Sequence, residues 1–271
     1  MPSVTVGDTD IVYYQSGEGP DIVWVAGGGD NGSPWRKWNT PAFDDAFRST
    51  SFANRGVGET VCRAPEPWTI ADLAADAAGL IEGVCNPPVA VVGLSMGALT
   101  VLQLALDRPD LMTVGVAMGC AASGSEGWLG YYMQAEVDYR RAGGRLSGRM
   151  STLHYASMLY PAQVLGDPAM FPIIEEMLGG EFEEDNEVSL IGQWQACIDF
   201  DVTDRLPSCT APLHIFAFEQ DVQAPPQFGR KVAEITPTAT LHEFAGMGHC
   251  SIYGHRHETL NAEIRKIVEA L

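Results

Sequence analysis

The chain has 271 residues, of which 46% are hydrophobic and 19% charged. That is enough apolar chain to bury a sizeable core in one α/β domain with an insert, and it excludes a disordered or fibrous protein. Thirty-five Asp and Glu against 16 Lys and Arg give a net charge of −19; such a surface repels phosphate backbones and anionic lipid, which excludes nucleic acid and a membrane surface as partners.

Residues 4–6 and 11–14 are short alternating runs split by Gly7–Asp10, the pattern of an opening antiparallel hairpin. Residues 22–26 form a continuous apolar run that ends abruptly in Gly27-Gly28-Gly29, as a buried parallel strand entering a special loop does. A weaker strand over 50–53 ends at Asn54-Arg55-Gly56. Residues 70–84 carry Ile70, Leu73, Ala74, Ala77, Leu80, Ile81 and Val84 at helical spacing. Thr69 is placed as their N-cap, with Asp72 three residues on as a capping box. A strand over 89–92, a helix over 96–107 ended by Pro109 and a strand over 112–118 follow.

From about 123 to 200 strand patterns vanish. Tyr, Met, Trp and charged residues recur at helical spacing, broken at Gly143-Gly144, Pro161, Pro168 and Gly179-Gly180. Then come a strand over 213–218, a helix over 226–235, a strand over 239–244 and an amphipathic helix over 257–270. Strands alternating with helices predict a mostly parallel sheet with helices on both faces. Residues 1–122 and 201–271 form that core, and 123–200 form an inserted helical cap.

The six cysteines, Cys62, Cys85, Cys120, Cys197, Cys209 and Cys250, make no CxxC pair and read as small buried hydrophobes. The expected compartment is therefore reducing and cytoplasmic. The N-terminus shows no secretory signal, and no apolar run reaches membrane-spanning length.

Gly93-Leu94-Ser95-Met96-Gly97 is a G-x-S-x-G directly after one strand and directly before a helix. A serine on so tight a turn has strained backbone angles and an exposed hydroxyl, and flanking glycines allow close chain approach. The next backbone N–H, from Met96, lies at a helix N-terminus, where negative charge is favoured. A serine nucleophile needs a base. His249, in Ala245-Gly246-Met247-Gly248-His249-Cys250 between the last strand and the last helix, is the candidate. His214 and His242 lie inside strands, His154 lies in the cap, and His255 and His257 lie at the last helix. The base needs an orienting acid. Asp221 follows the strand over 213–218, at the edge where open α/β sheets bind ligands. Glu219 competes with it, and Asp199, Asp201 and Asp204 are more distant rivals.

The chain order Ser95, Asp221, His249 resembles that of the α/β-hydrolases. Asn54-Arg55-Gly56-Val57-Gly58-Glu59-Thr60 is similar to that family's D-x-R-G-x-G-x-S turn, with Ala53 where an aspartate is usual. Val202-Thr203-Asp204-Arg205-Leu206, with Pro212 ahead of a strand, resembles the esterase and lactonase branch that includes 3-oxoadipate enol-lactonases. The resemblance implies a Ser-His-Asp triad and an oxyanion hole made by the N–H groups of Met96 and Gly28. Many members carry His-Gly after the third strand. Here Ala26-Gly27-Gly28-Gly29 stands instead, so a side chain that often braces that loop is missing.

The expected activity is hydrolysis of a small-to-medium, largely apolar carboxylic ester or lactone through an acyl-enzyme, with no metal or organic cofactor. The expected partner is a small-molecule substrate, and the sequence is compatible with a homodimer. Aromatic and Met residues of the cap are expected mostly to pack its own helices, and the remainder to line an apolar cavity. Three rivals remain open. They are other chemistry on the same triad (C–C bond hydrolysis, acyl transfer, perhydrolysis), a ligand receptor on the same fold, and a cofactor-free cyclase or isomerase. A decoy also needs an answer. Gly27-Gly28-Gly29-Asp30-Asn31-Gly32 matches the dinucleotide fingerprint G-x-G-x-x-G, but Ser33-Pro34-Trp35 is expected to interrupt the helix that would receive the pyrophosphate.

Overall fold

The structure, a computed structural model, describes residues 1–178 and 187–271. Its sheet follows from strands that are apolar on both faces. In β3 (Asp21–Val25) and β6 (Val89–Leu94) every residue is buried. With β7 (Met112–Met118), β8 (Leu213–Phe218) and β9 (Ala239–Phe244) they pair in parallel, and β4 (Arg48–Phe52) joins the other side of β3. An antiparallel hairpin, β1 (Ser3–Val6) and β2 (Thr9–Ser16), completes the edge. The order is β1-β2-β4-β3-β6-β7-β8-β9, with the two-residue β5 (Val61–Cys62) hydrogen-bonded to β2.

Because successive strand side chains point to opposite faces, the apolar strands need helices on both. Val23, Val25 and Val91 meet α2 (Ile70–Val84), α3 (Met96–Asp107) and α9 (Pro226–Ile235) in one core. Ile22, Trp24 and Val92 meet α1 (Ser33–Trp38) and α10 (His257–Glu269) in the other. The Thr69 hydroxyl accepts from Asp72 N–H at 3.2 Å, and the Asp72 carboxylate accepts from Thr69 N–H at 2.8 Å, so the predicted capping box is present.

Residues between β7 and β8 form α4 (Gly127–Arg141), α5 (Gly148–Leu159), α6 (Ala162–Leu165), α7 (Phe171–Leu178) and α8 (Glu187–Ile198). The two chain crossings into this helical region lie side by side. Val202 N–H donates to Ala122 C=O and Gly124 N–H to Phe200 C=O, both at 2.9 Å. An antiparallel bridge joins Ser123 to Asp201. Of the expected cap breakers, Gly179-Gly180 lies outside the described residues. All six cysteines are free, and Cys120, Cys197 and Cys209 are buried. No helix among the described residues is long and apolar enough to cross a membrane.

One expectation is corrected. Ser33-Pro34-Trp35 opens α1 rather than interrupting a helix, because the first turn of a helix needs no proline N–H. The cap aromatics and methionines pack and line at once: Tyr155 and Tyr160 belong to a buried cluster of the cap against which Met170, Phe171, Met177 and Trp194 pack. Tyr132, Met133, Tyr155, Tyr160, Met177 and Trp194 also line the cavity beneath it. Trp128, Tyr131, Tyr139 and Met150 are instead exposed.

Candidate active site

Ser95 caps α3 with φ 57° and ψ −122°, and it is the sole residue other than glycine with positive φ among those described. Such a conformation costs free energy and persists only where the surroundings enforce it. The enforcement is visible. Ser95 N–H donates to Met118 C=O on β7 at 2.9 Å. A Cβ on Gly97 would lie 2.2 Å from the Val25 carbonyl oxygen, and one on Gly93 would lie 2.3 Å from that of Gly97. Both motif glycines are therefore required by backbone contacts, which no side chain could relieve.

The loops after β8 and β9 bring Asp221 and His249 to the same edge of the sheet. His249 Nδ1 lies 2.6 Å from Asp221 Oδ2. The other carboxylate oxygen accepts from the N–H groups of Gln223 at 2.9 Å and Ala224 at 2.8 Å. Asp221 is 3% exposed and His249 2% exposed, so this pair is shielded from solvent. Glu219 takes a different place: its exposed side chain accepts from Gly246 N–H at 2.8 Å and so ties the β8 loop to the β9 loop. Asp199 and Asp201 accept from Gln195 and from Thr203 N–H, away from the cavity.

The remaining histidines are occupied elsewhere. His214 and His242 pair across β8 and β9 at 2.8 Å, and burial pushes both imidazoles below their ordinary value. His154 meets the Tyr132 hydroxyl at 3.2 Å, His255 meets the Ser251 hydroxyl at 3.0 Å, and His257 lies edge-on to Trp38. Among the described histidines, only His249 lines the cavity that also holds Ser95. His249 Nε2 is buried there and has no hydrogen-bond partner among the described residues.

Gly27, Gly28, Ser95 and Met96 share one wall of that cavity. Met96 is the first residue of α3, where N–H groups have no partner within the helix. Gly27 C=O accepts from Asp30 N–H at 3.4 Å, and Gly29 has φ 76°, the turn in which the third residue must have positive φ. What braces this loop comes from the cap. Gln193 on α8 accepts from Gly29 N–H at 2.9 Å and donates to Arg55 C=O at 3.0 Å. Arg55 is itself held by Asp76 at 2.8 Å.

Three further residues escaped the sequence reading. Asp30 appeared only as a letter in the dinucleotide pattern. Its carboxylate accepts from Gly32 N–H at 2.6 Å and from the Tyr253 hydroxyl at 3.4 Å, and it faces the cavity. Burial pushes its pKa up to about 6. Gly119, just after β7, would place a Cβ 2.9 Å from the His249 ring and 3.2 Å from the Asp221 carboxylate. A glycine ending a parallel strand was its only available signal. Gln193 had none, since a glutamine in a cap helix points nowhere until the helix is docked.

A strand-to-helix turn bearing a strained serine, with an Asp–His pair on later loops of a mostly parallel sheet, defines an α/β-hydrolase fold. A model of the Alpha/beta hydrolase family matches residues 22–263, and the chain belongs to that family. It is similar, at 27% identity over 270 residues, to a Mycobacterium tuberculosis protein with the provisional designation non-heme bromoperoxidase BpoC, covering 95% of this chain and 97% of that one. The crystal structure of BpoC superposes with a TM-score of 0.87 at 25% identity, covering 96% of each chain. An enol-lactonase from Burkholderia xenovorans LB400 superposes with a TM-score of 0.84 at 21% identity, covering 99% of this chain and all of that one. A thermophilic esterase from Thermogutta terrifontis gives 0.82 at 20% identity, covering all of this chain and 99% of that one. At such identities these last two likenesses concern the fold alone.

Proposed function

We propose that the protein is a serine hydrolase that cleaves a small-to-medium, largely apolar carboxylic ester or lactone. The observation that carries this reading is the buried Asp221–His249 pair at 2.6 Å, whose free Nε2 lies in the cavity with Ser95. An imidazole held by a carboxylate at Nδ1 presents Nε2 as an acceptor. The mechanism requires the Ser95 hydroxyl to reach that acceptor when substrate binds, as catalytic contacts that are open in a free enzyme close in the substrate complex.

Ser95 Oγ attacks the carbonyl carbon while its proton passes to His249 Nε2. Asp221 stabilises the resulting imidazolium. The negative charge on the carbonyl oxygen meets the N–H groups of Met96 and Gly28. Collapse expels the alkoxide, which leaves as the alcohol with the proton from His249. Water, deprotonated by the same imidazole, then attacks the acyl-enzyme, and the acid departs with Ser95 restored. A lactone opens by the same steps, with its alcohol still attached to the acyl group.

The lining supports a neutral acyl group. Leu94, Leu129, Met133, Leu159, Met177 and Leu178 supply apolar surface. Among the described residues the ionisable acids and bases facing the cavity are Asp30 and His249, with tyrosines and cysteines, and neither Lys nor Arg lines it. A carboxylate on the acyl chain would meet Asp30 with no cation to receive it.

The test is a panel of p-nitrophenyl esters and simple lactones assayed with wild-type and Ser95→Ala protein, alongside fluorophosphonate labelling read by intact mass. Turnover of neutral acyl esters, one label on Ser95 and loss of both in the variant are expected. A wild-type protein that neither turns over the panel nor takes the label would overturn the reading. The likeness to BpoC favours one second reading, interception of the same acyl-enzyme by hydrogen peroxide to give a peracid. Peroxide-dependent bromination in the presence of a carboxylic acid would identify it.

A further inference from the structure

Three consecutive glycines carry no side chains that could fix a loop, and each has wide backbone freedom. Gly28 nevertheless has to present its N–H opposite that of Met96 if both are to meet one oxygen atom. Beyond the Gly27–Asp30 hydrogen bond of the turn itself, the contacts that restrain it come from outside. Asn54 Nδ2 donates to Ala26 C=O at 3.0 Å, just ahead of the glycines. Gln193 then holds the far side of Gly28. Its Oε1 accepts the Gly29 N–H at 2.9 Å, in the central peptide of the turn. Its Nε2 donates at 3.0 Å to the carbonyl of Arg55, whose guanidinium binds Asp76 and the Asp72 carbonyl on α2. The two partners differ in kind, one a donor and one an acceptor, which fixes the orientation of the amide. Gln193 is 0% exposed. Its neighbour Trp194 places its indole nitrogen 3.4 Å from where a Gly28 Cβ would stand.

We propose that Gln193 is a positioning residue for the oxyanion hole: the cap helix α8 locks the Gly28–Gly29 peptide against the Arg55 loop, so the hole is complete only while the cap is seated. This inference rests on the hydrolase reading above. It makes the cap part of the catalytic geometry as well as the wall of the substrate cavity. A substrate that fills the cavity under α8 and presses on Trp194 acts on the same helix that aligns the Gly28 N–H.

The test uses Gln193→Leu, which keeps the bulk and removes both hydrogen bonds, and Gln193→Glu, which keeps an acceptor for Gly29 and removes the donor to Arg55. Kinetics are read on the best p-nitrophenyl ester. Inhibition is read with a trifluoromethyl ketone of matching acyl length, which becomes a tetrahedral oxyanion on Ser95, and with the corresponding methyl ketone, which binds without needing that charge stabilised. For Gln193→Leu we expect kcat to fall about 100-fold, the size of effect that loss of one oxyanion donor gives, with KM within about threefold. Affinity for the trifluoromethyl ketone should fall in parallel and that for the methyl ketone should hold. Gln193→Glu should fall between the two and decides the matter if Gln193→Leu does not fold. A folded variant with wild-type kcat overturns the positioning role, as does equal loss of affinity for both ketones, which would mean a collapsed cavity. In either case an inactive Ser95→Ala leaves the hydrolase reading standing. Full activity in Ser95→Ala would instead remove that reading itself.

Discussion

Asp221 and Glu219 stand two residues apart on one loop, and what surrounds each carboxylate separates their roles. Asp221 is buried, takes two backbone N–H groups on one oxygen and His249 on the other. Glu219 is exposed and holds Gly246. On the proposed mechanism Asp221→Asn removes the charge that would stabilise the imidazolium and reverses the tautomer, and kcat should fall about 10⁴-fold. Glu219→Gln keeps an acceptor for Gly246 and should stay within about twofold of wild type in the same ester assay. A larger loss for Glu219→Gln than for Asp221→Asn would exchange the two assignments. Asp30 makes a prediction of a different kind. Below its ordinary value of 3.8 it is protonated folded or unfolded and costs nothing. Between there and about 6 the unfolded chain has lost the proton and the folded chain keeps it, so stability falls as pH rises, and above about 6 the whole penalty is present. Asp30→Asn retains the acceptor for Gly32 N–H without the buried charge. By urea denaturation it should be stabilised by about 2–3 kcal/mol at pH 7.5, with the gain vanishing toward pH 4. A gain that is equal at both pH values would mean the carboxylate is not the cause. Ser95, His249 and Asp221 stand out in the sequence as candidates because each sits at a strand end in a local pattern of glycines or prolines. Asp30 and Gln193 were not, because their significance is set by what docks against them from far along the chain.

At the level of the elements, α2 shows how much a local signal can carry. Its apolar stripe faces the sheet, its capping box closes two of the N-terminal donors, and its last turn packs behind β1 and β2. Asp72 in that box also leaves its carbonyl for Arg55, so the start of α2 supports the loop that Gln193 grips. Thr69→Ala should cost about 1 kcal/mol by urea denaturation, the usual value of an N-cap, and leave kcat within about twofold. A cost below a few tenths of a kcal/mol would show the helix start to be held by packing alone. The ranges read for α2, α3, β7, β8, α9 and β9 coincide with those observed, because a clear apolar periodicity bounded by Gly, Pro and caps leaves little room for a different period. The weaker features went astray for physical reasons. Strand β5 is two residues long, too short to show a period, and β2 begins at Thr9, inside the segment taken as turn, because Thr9 and Asp10 pair with β1 on one side and with β5 on the other. The cap helices could be recognised as helical but not oriented, since aromatic and Met residues lie on their outer surface as well as over the cavity.

Across the whole molecule, charge and insertion are the two features that no single element reveals. The cap joins the core through adjacent strands of chain at Ala122–Gly124 and Phe200–Val202, so it stands on a narrow base and reaches the site through α8. Its exterior carries exposed aromatics, Trp128, Tyr131 and Tyr139, on a chain with a large excess of acidic residues. With 35 acidic and 16 basic residues, the folded state concentrates a net charge of −19 that the unfolded chain spreads over a larger volume. That repulsion opposes folding at low ionic strength. Exposed ion pairs such as Arg108 with Glu82 and Asp110, and Arg265 with Asp45, work in the other direction, but each is worth little in water. Raising salt screens both, and at about 0.2 M the screening length falls below ~8 Å, so interactions across longer separations are screened more than an ion pair at contact. The repulsion is therefore lost first. The melting temperature at pH 7.5 should rise by about 2–4 °C between 10 mM and 200 mM sodium chloride, equivalent to roughly 1 kcal/mol for a chain of this size. The same increment should appear in Ser95→Ala, because the effect belongs to the surface rather than to the site. A fall in melting temperature over that range would mean that the exposed ion pairs outweigh the net charge.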